Sequence, residues 1–237
     1  MSEENSCMFL SIIIPIYNEE ENLKELLPLL IQNSPKSDRE ILVVDAASTD
    51  QSKEVCHQMG VNYILASEAS RATQMNKGAA EAKGSVLYFV HADSRPKDSF
   101  FEDISLAISN GKKAGCYRYK FDSDSWMLKI NGWFTRFNGL FAGGGDQTLF
   151  IQKSFFEELE GFDEEYCIME DFDLVKRIKA VSDFHIIPKS IMVSARKYDE
   201  NSWLRVQIAN LVAFAYFLMN YPPAKIKSAY FQLLKHR

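Results

Sequence analysis

The chain has 237 residues, a formal net charge of −5, 46% apolar residues and 25% charged residues. This balance excludes a disordered chain, and the length suits one large domain or one domain with an appended segment. The acidic charge argues against a nucleic-acid partner, because proteins that bind nucleic acid usually present a basic stripe.

The first ninety residues alternate between short apolar runs and helical patterns. Leucines at helical spacing between Leu23 and Leu30 predict a first helix, which Asn18 would cap with Glu21 as its capping-box partner. Alternation of this kind is typical of a parallel α/β sheet with helices on both faces. Strands are predicted at residues 9–14, 41–44, 61–65 and 86–90, and two further helices at 48–60 and 71–83.

The rest of the chain is less regular. A glycine run at 143–145 follows no clear strand and is expected to form a flexible loop. Strands are predicted at 114–121, 147–152, 185–187 and 191–193, and helices at 126–140, at 170–181 and, on either side of Pro222, from 203 onward.

Polar side chains follow several of the predicted strands. Ligands of open parallel sheets bind beyond the carboxyl ends of the strands, so these side chains are candidates for a site, although caps and turns would also use them. They are Pro15, Tyr17, Asn18 and Glu19 after the first strand, Asp45 after the second, and His91 and Asp93 after the fourth, with Arg71 opening the preceding helix.

Two common phosphate-binding loops are absent from the sequence. The first turn reads PIYNE, which has no glycine, so it is not the G-x-G-x-x-G turn of dinucleotide-binding folds, and the Walker loop is missing as well. A bound nucleotide would need another counter-charge, and a divalent ion on Asp93, helped by Arg71, is the one available.

Six motifs, in order and spacing, resemble the inverting family 2 glycosyltransferases with the GT-A fold. They cover roughly residues 9–180 and read IIIPIYNEEENL, ILVVDAASTD, SRATQMNKGAAEAKG, VLYFVHADS, GGDQTLFI and IMEDFDL. SRATQMNKGAAEAKG, HADS and SARKY are similar to a small bacterial branch that includes a glycosyltransferase of the carotenoid acid diaponeurosporenoate.

The resemblance implies a GT-A domain over residues 1–200, a mainly parallel sheet flanked by helices. Its nucleotide-sugar half would cover about 9–95 and its acceptor half about 96–200, followed by a C-terminal helical segment at 201–237. Mg²⁺ or Mn²⁺ would be the cofactor, bound by Asp93. The residues implied to contact the nucleotide sugar are Pro15, Tyr17, Glu19, Asp45, Arg71, His91, Ala92 and Asp93.

The resemblance assigns the chemistry to an acidic pair. Asp171 is implied to be the catalytic base and Glu170 to orient it or the acceptor, while Asp146 and Gln147 would contact the acceptor. Acids in the first turn of a helix also complement the helix dipole, which is the simpler explanation for the pair.

Three departures from the family pattern refine this expectation. His91 replaces the first acid of the acid-x-acid motif, and Ala46 replaces a frequent second acid after Asp45. SARKY stands near the place of the Q-x-x-R-W motif of processive synthases, which favours transfer of one sugar from a nucleoside-diphosphate sugar to a hydroxyl or carboxyl. The alternatives are a non-catalytic nucleotide-sugar-binding module and a sugar-phosphate nucleotidyltransferase.

The C-terminal segment gives information on the kind of acceptor and on the location of the protein in the cell. Residues 203–219 are strongly apolar but include Arg205, Gln207 and Asn210, so they are too short and too polar to span a bilayer. The segment could lie on an anionic membrane, which suits a lipid or carotenoid acceptor, or pack on the sheet or a second copy. Four cysteines without metal-site spacing, and a start without signal-peptide features, favour reduced thiols and a cytoplasmic location. If the C-terminal segment faces a membrane, the location would be peripheral, on the inner face of the cell membrane.

Overall fold

The sheet of this protein, described from a computed structural model, has eight strands in the order β3-β2-β1-β4-β7-β6-β8-β5. The structure describes residues 8–139, 143–144 and 147–234. The strands are β1 Leu10–Ile16, β2 Arg39–Asp45, β3 Asn62–Leu65, β4 Val86–Phe89, β5 Ser94–Arg95, β6 Ala114–Phe121, β7 Leu149–Gln152 and β8 Phe184–Val193. The helices are α1 Glu20–Gln32, α2 Ser52–Met59, α3 Arg71–Glu81, α4 Phe100–Ser109, α5 Trp126–Phe134, α6 Lys153–Glu158, α7 Glu170–Val181, α8 Lys197–Glu200, α9 Trp203–Leu218 and α10 Pro223–Leu233.

The first four strands form the predicted parallel half of the sheet. β1 pairs in parallel with both β2 and β4, and β2 pairs in parallel with β3. The predicted end of β1 at Pro15 was wrong, because the strand continues to Ile16. Proline is tolerated there because β1 and β4 pair only as far as Ile13, which leaves that side of the strand unpaired.

The second half of the sheet is mixed. β7 is antiparallel to β4 and β6, so β6 and its parallel partner β8 end at the same edge as β1 and β4. The predicted strand pair at 185–187 and 191–193 is a single strand, β8. Its register against β6 shifts between Ile187 and Ser190, so two residues bulge out and interrupt the apolar pattern.

Helices cover both faces of the sheet. Leu23, Leu26 and Phe100 belong to the core beneath α1, α2 and α4. Met75 and Leu174 belong to the core on the opposite face, beneath α3, α6 and α7. The sequence patterns predicted no helix or strand at the positions of α4, α6 or the short β5 and α8.

Helix α5 covers the free edge of β6. β6 pairs with β7 only at Ala114 and Gly115, and beyond that point the Thr135 hydroxyl accepts a 3.3 Å hydrogen bond from the Tyr119 amide. A Cβ at Gly132 would lie 2.9 Å from the Tyr119 carbonyl oxygen, so only glycine permits this approach. The helix ends at Phe134, well before the predicted residue 140.

Gly143 and Gly144 pack tightly under α7 in place of the expected flexible loop. Both are buried, and Gly143 has a φ of +85°, which favours glycine. A Cβ on Gly144 would fall 2.0 Å from the ring of Phe172. Gly144 therefore makes room for the ring that follows Asp171, and Gly143 makes room for Val175 of α7 and Phe184 of β8.

The two C-terminal helices pack on the segment that leads into α7. Ala213, Phe217 and Ile226 form a small buried cluster against residues 166–172. Within the part of the chain that the structure describes, no helix combines the length and apolarity needed to cross a membrane.

Candidate functional site

The turns after β1 and β2 are joined by reciprocal hydrogen bonds. Ser48 Oγ accepts from the Asn18 amide at 2.8 Å, and Asn18 Oδ1 accepts from the Thr49 amide at 2.8 Å. The prediction that Asn18 caps α1 was therefore wrong: Glu19 occupies the N-cap and makes no side-chain cap bond. Asn18 instead fixes two neighbouring strand ends to one another, with a φ of 52° that asparagine tolerates.

The Asp45 side chain takes part in the hydrogen bonds that hold these turns. Its side chain is 1% exposed and accepts hydrogen bonds from Ser48 and from the Tyr63 hydroxyl, the latter at 2.5 Å. This carboxylate holds the second turn, so a contact with a base or ribose would require it to exchange partners.

Arg196 brings two distant acids together at the carboxyl edge. One of its guanidinium nitrogens, Nη2, lies 3.1 Å from Glu19 Oε1 and 3.9 Å from Asp93 Oδ2. Glu19 follows β1 and Asp93 follows β4, so the arginine bridges the ends of two adjacent strands. Arg196 belongs to the SARKY sequence, and the structure makes it the centre of this cluster.

The remaining predicted donor contacts differ in exposure. Tyr17 is 58% exposed and extends from the first turn, whereas Pro15 and Ala92 are buried, so only their backbone could meet a ligand. His91 is partly exposed beside Asp93.

The acidic pair at the start of α7 faces the same edge. Glu164 accepts hydrogen bonds from Thr73 and Asn76 in the first turns of α3, which ties the segment before α7 to that edge. Glu170 is 2% exposed, and burial raises its pKa, while the charge of Arg71 opposes the rise. Asp171 is partly exposed in the same first turn.

The buried Glu170 should make the stability of the fold depend on pH. Because the folded-state pKa is raised above the ordinary 4.5, folded Glu170 retains a proton that the unfolded chain has released over the pH range between the two values. The wild type should therefore lose stability relative to Glu170→Gln as the pH rises above about 4.5. Urea unfolding of both chains from pH 4 to 8 measures this difference. The exposed Glu158→Gln serves as the control, and parallel pH curves for wild type and Glu170→Gln would contradict the assignment.

Of the two predicted acceptor residues, the structure describes Gln147, and its side chain is not presented to an acceptor. Gln147 is 1% exposed; its Oε1 accepts from the Gly143 amide at 2.6 Å and its Nε2 donates to the Tyr117 carbonyl at 3.1 Å. Its amide therefore fastens the glycine turn to β6, which argues against the predicted contact. Asp146 lies outside the described residues.

An open cleft of about 490 Å³ lies between β6 and α5. Lys129, Trp133 and Arg136 line it on the helix side, and Arg136 stacks over the Trp133 ring at 4.7 Å. Asp122 lines the strand side and accepts a 2.7 Å hydrogen bond from the Ala195 amide, next to Arg196. The cleft therefore adjoins the acidic cluster.

The residues present suit a divalent ion shared with a ligand. Among the described residues, no group of three or more His, Cys, Asp or Glu side chains could enclose a metal by itself. Asp93 is partly exposed at a strand end, and the Arg196 guanidinium lies 3.9 Å from its Oδ2, which is too far for a hydrogen bond and leaves this oxygen open to a further ligand. Mg²⁺ is typically held by one or two carboxylates together with substrate phosphates, and Asp93 fits that pattern.

Comparison with known proteins gave consistent matches. The family model described as Glycosyl transferase family 2 matches residues 11–160. Glycosyltransferase AglE of Haloferax volcanii is 36% identical over 108 residues, which are 43% of this chain and 36% of that protein. The chain thus spans only about a third of this relative's length.

Solved structures confirm the GT-A fold. Mannosyltransferase PcManGT from Pyrobaculum calidifontis, in complex with GDP-Man and Mn²⁺, superimposes with a TM-score of 0.73 at 16% identity, over 96% of this chain and 69% of that chain. Residues 1–349 of Staphylococcus aureus TarS, in complex with UDP-GlcNAc, give 0.66 at 17% identity, over 95% and 71%.

Proposed function

Because the chain belongs to glycosyl transferase family 2, we propose that it transfers one sugar, with inversion, from a nucleoside-diphosphate sugar to an acceptor hydroxyl or carboxyl. The observation that carries the proposal is the cluster in which Arg196 bridges Glu19 and Asp93 at the carboxyl edge. Ligands of this class of sheet bind at that edge.

The donor diphosphate would lie against the two arginines of this edge. Negative charge grows on the leaving diphosphate as the glycosidic bond breaks, and a guanidinium can stabilise it through charge-assisted hydrogen bonds. Arg196 is partly exposed and lies within the cluster, while Arg71 lies opposite Glu170. A Mg²⁺ or Mn²⁺ ion on Asp93 would supply further charge stabilisation when bound.

An acceptor hydroxyl would lose its proton to Asp171, whereas an acceptor carboxyl is already ionised at neutral pH and would attack without a base. Attack from the face opposite the diphosphate gives inversion without a covalent intermediate, so a single base suffices. Glu170 supports this role indirectly: being buried beside Arg71, it helps to hold the first turn of α7 in place.

The cleft between β6 and α5 is the position that we propose for the acceptor. It adjoins the acidic cluster through Asp122, and its lining combines cations with the exposed ring of Trp133. Such a lining suits an amphipathic acceptor, a lipid or a carotenoid acid, which would place the protein at the inner face of the cell membrane.

Two other functions make different demands on the site. A nucleotidyltransferase would need a glycine-rich loop with an arginine after β1, whereas this turn reads PIYNE and is fixed by Asn18. A binding module would need no base, and its ligand affinity and all other measurable properties would be indifferent to Asp171.

A donor screen tests the proposal. UDP- and GDP-sugars are the first candidates, because the solved structures of similar fold contain UDP-GlcNAc and GDP-Man. With Mn²⁺, the true donor at 100 times its dissociation constant should stabilise the fold by about 2.7 kcal/mol and be hydrolysed slowly without acceptor. Thermal melting and release of nucleoside diphosphate measure both effects. A panel in which no nucleotide shifts the melt, with or without metal, would contradict the proposal.

A further inference from the structure

We infer that α5, α9 and α10 form a docking surface for an anionic lipid bilayer. This surface lies outside the donor site. It rests on the proposed function only for the choice of a lipid acceptor, because docking can be measured without turnover. Two observations support the inference: an apolar stripe on each of two neighbouring helices, and a segregation of charge along the chain.

Helix α9 presents an apolar stripe to solvent. Its inner side, which includes Ala213 and Phe217, packs on the segment before α7. The outer side repeats at intervals of three, four or seven residues, which places its members on one face of a helix. Leu204, Ile208, Leu211, Leu218 and the adjoining Met219 are 45–65% exposed.

Helix α5 and the turn that follows it present a second stripe. Its members are again spaced as one helical face, and three of the aromatic rings among them are neighbours, with centroids 4.9–6.4 Å apart. Trp126, Ile130, Trp133, Phe134 and Phe137 are 43–69% exposed. Aromatic side chains of this kind favour the interface between water and lipid.

The two helices lie beside one another at Tyr198. The Tyr198 hydroxyl lies 3.4 Å from the amide nitrogens of Asn131 in α5 and Gln207 in α9. Its ring packs edge-on against Phe121 at the end of β6, beside the proposed acceptor cleft. The surface therefore borders the site at which an amphipathic acceptor would enter.

Charge identifies an anionic bilayer as the partner. Residues 125–144 and 201–237 contain seven Lys or Arg residues and no Asp or Glu. The whole chain has 27 basic and 32 acidic residues, so the remainder holds 20 basic and 32 acidic residues, a net charge of −12. Basic residues around an exposed apolar helix face are attracted to anionic lipid headgroups, whereas the same cations on a second copy would repel one another.

Docking would affect α7, the helix whose first turn contains the proposed base. Phe214 of α9 packs edge-on against Phe172 at 5.4 Å, and Phe172 follows the proposed base, Asp171. Phe172 also fills the space above Gly144. A shift of α9 on docking would therefore reach the first turn of α7 through this buried ring contact.

Vesicle binding of the full chain tests the inference. We expect sedimentation with vesicles of phosphatidylglycerol and phosphatidylcholine, little binding to phosphatidylcholine alone, and release by salt. Leu211→Ser should lower the partition coefficient, while the equally exposed Leu106→Ser on α4 should not. Lys227→Glu should lower it by about twenty-fivefold, because each unit of charge contributes about fivefold, while Lys36→Glu should leave it nearly unchanged.

Three results would overturn the inference. One is absence of binding to anionic vesicles; another is equal loss of binding in Leu211→Ser and Leu106→Ser, with circular dichroism confirming that both fold. The third is a lipid-free dimer, seen by light scattering, that Leu211→Ser dissociates, because a second copy would then cover the surface. Donor hydrolysis by the chain in solution, measured in parallel, separates failure of docking from failure of the proposed function.

Discussion

Asp171→Asn should lower sugar transfer to a hydroxyl acceptor by about 10²–10⁴-fold, the range that a positioned general base contributes. Asparagine keeps the shape of the side chain but cannot accept the acceptor proton at neutral pH. Donor affinity should stay close to that of the wild type, because the proposed diphosphate contacts belong to Arg71 and Arg196. Steady-state transfer kinetics, with donor affinity from calorimetry, separate the two effects.

The matched control is Asp173→Asn, the same substitution on the same helix. Asp173 pairs with Arg177 at 2.8 Å within α7, so its loss should cost only the modest stability of an i,i+4 ion pair and leave turnover nearly intact. If Asp171→Asn transferred sugar at the wild-type rate, the base assignment would fail, and a binding module would become the better description.

The parallel half of the fold was predictable because each of its strands and helices has a local pattern of apolar residues. β1, β2 and β4 are apolar runs buried on both faces, and α7 was predicted with its observed bounds, Glu170–Val181. The mixed half was not predictable in the same way. The bulge before Ser190 splits one strand into two apparent ones, and β7 owes its direction to contacts with distant strands.

In the candidate site, too, some residues could be predicted from the sequence and others could not. Residues that follow strands, such as Glu19 and Asp93, could be found from the sequence because topology alone places them at one edge. The bridge from Arg196 to Glu19 spans 177 positions and depends on the full course of β8, which no local pattern contains. Asp45 and Gln147 show the converse: both stand in motif positions, yet their burial and hydrogen bonds give them framework roles.

Asp93→Ala should abolish the gain in donor affinity that Mn²⁺ provides. Without a metal, Arg196 can still meet the diphosphate, so weak binding should persist; with metal, the wild type should bind about ten- to a hundredfold more tightly than the variant, as expected for a lost charged contact of about 1.5–3 kcal/mol. Calorimetry of nucleoside diphosphate binding, with Mn²⁺ and with chelator, gives the four affinities that are needed.

Asp98 is an exposed acid five residues from Asp93, so Asp98→Ala is the control for the loss of one negative charge near the edge. This variant should keep the full response to Mn²⁺.

Arg196→Gln should have the opposite effect from Asp93→Ala. It should lower diphosphate affinity in chelator but keep the gain in affinity with Mn²⁺, because the Asp93 carboxylate is still present to bind the metal. An Asp93→Ala chain that responded to Mn²⁺ like the wild type would place the metal elsewhere. Since Asp93 and Arg196 lie 3.9 Å apart, the double variant also shows whether they act on one diphosphate, through losses that fail to add.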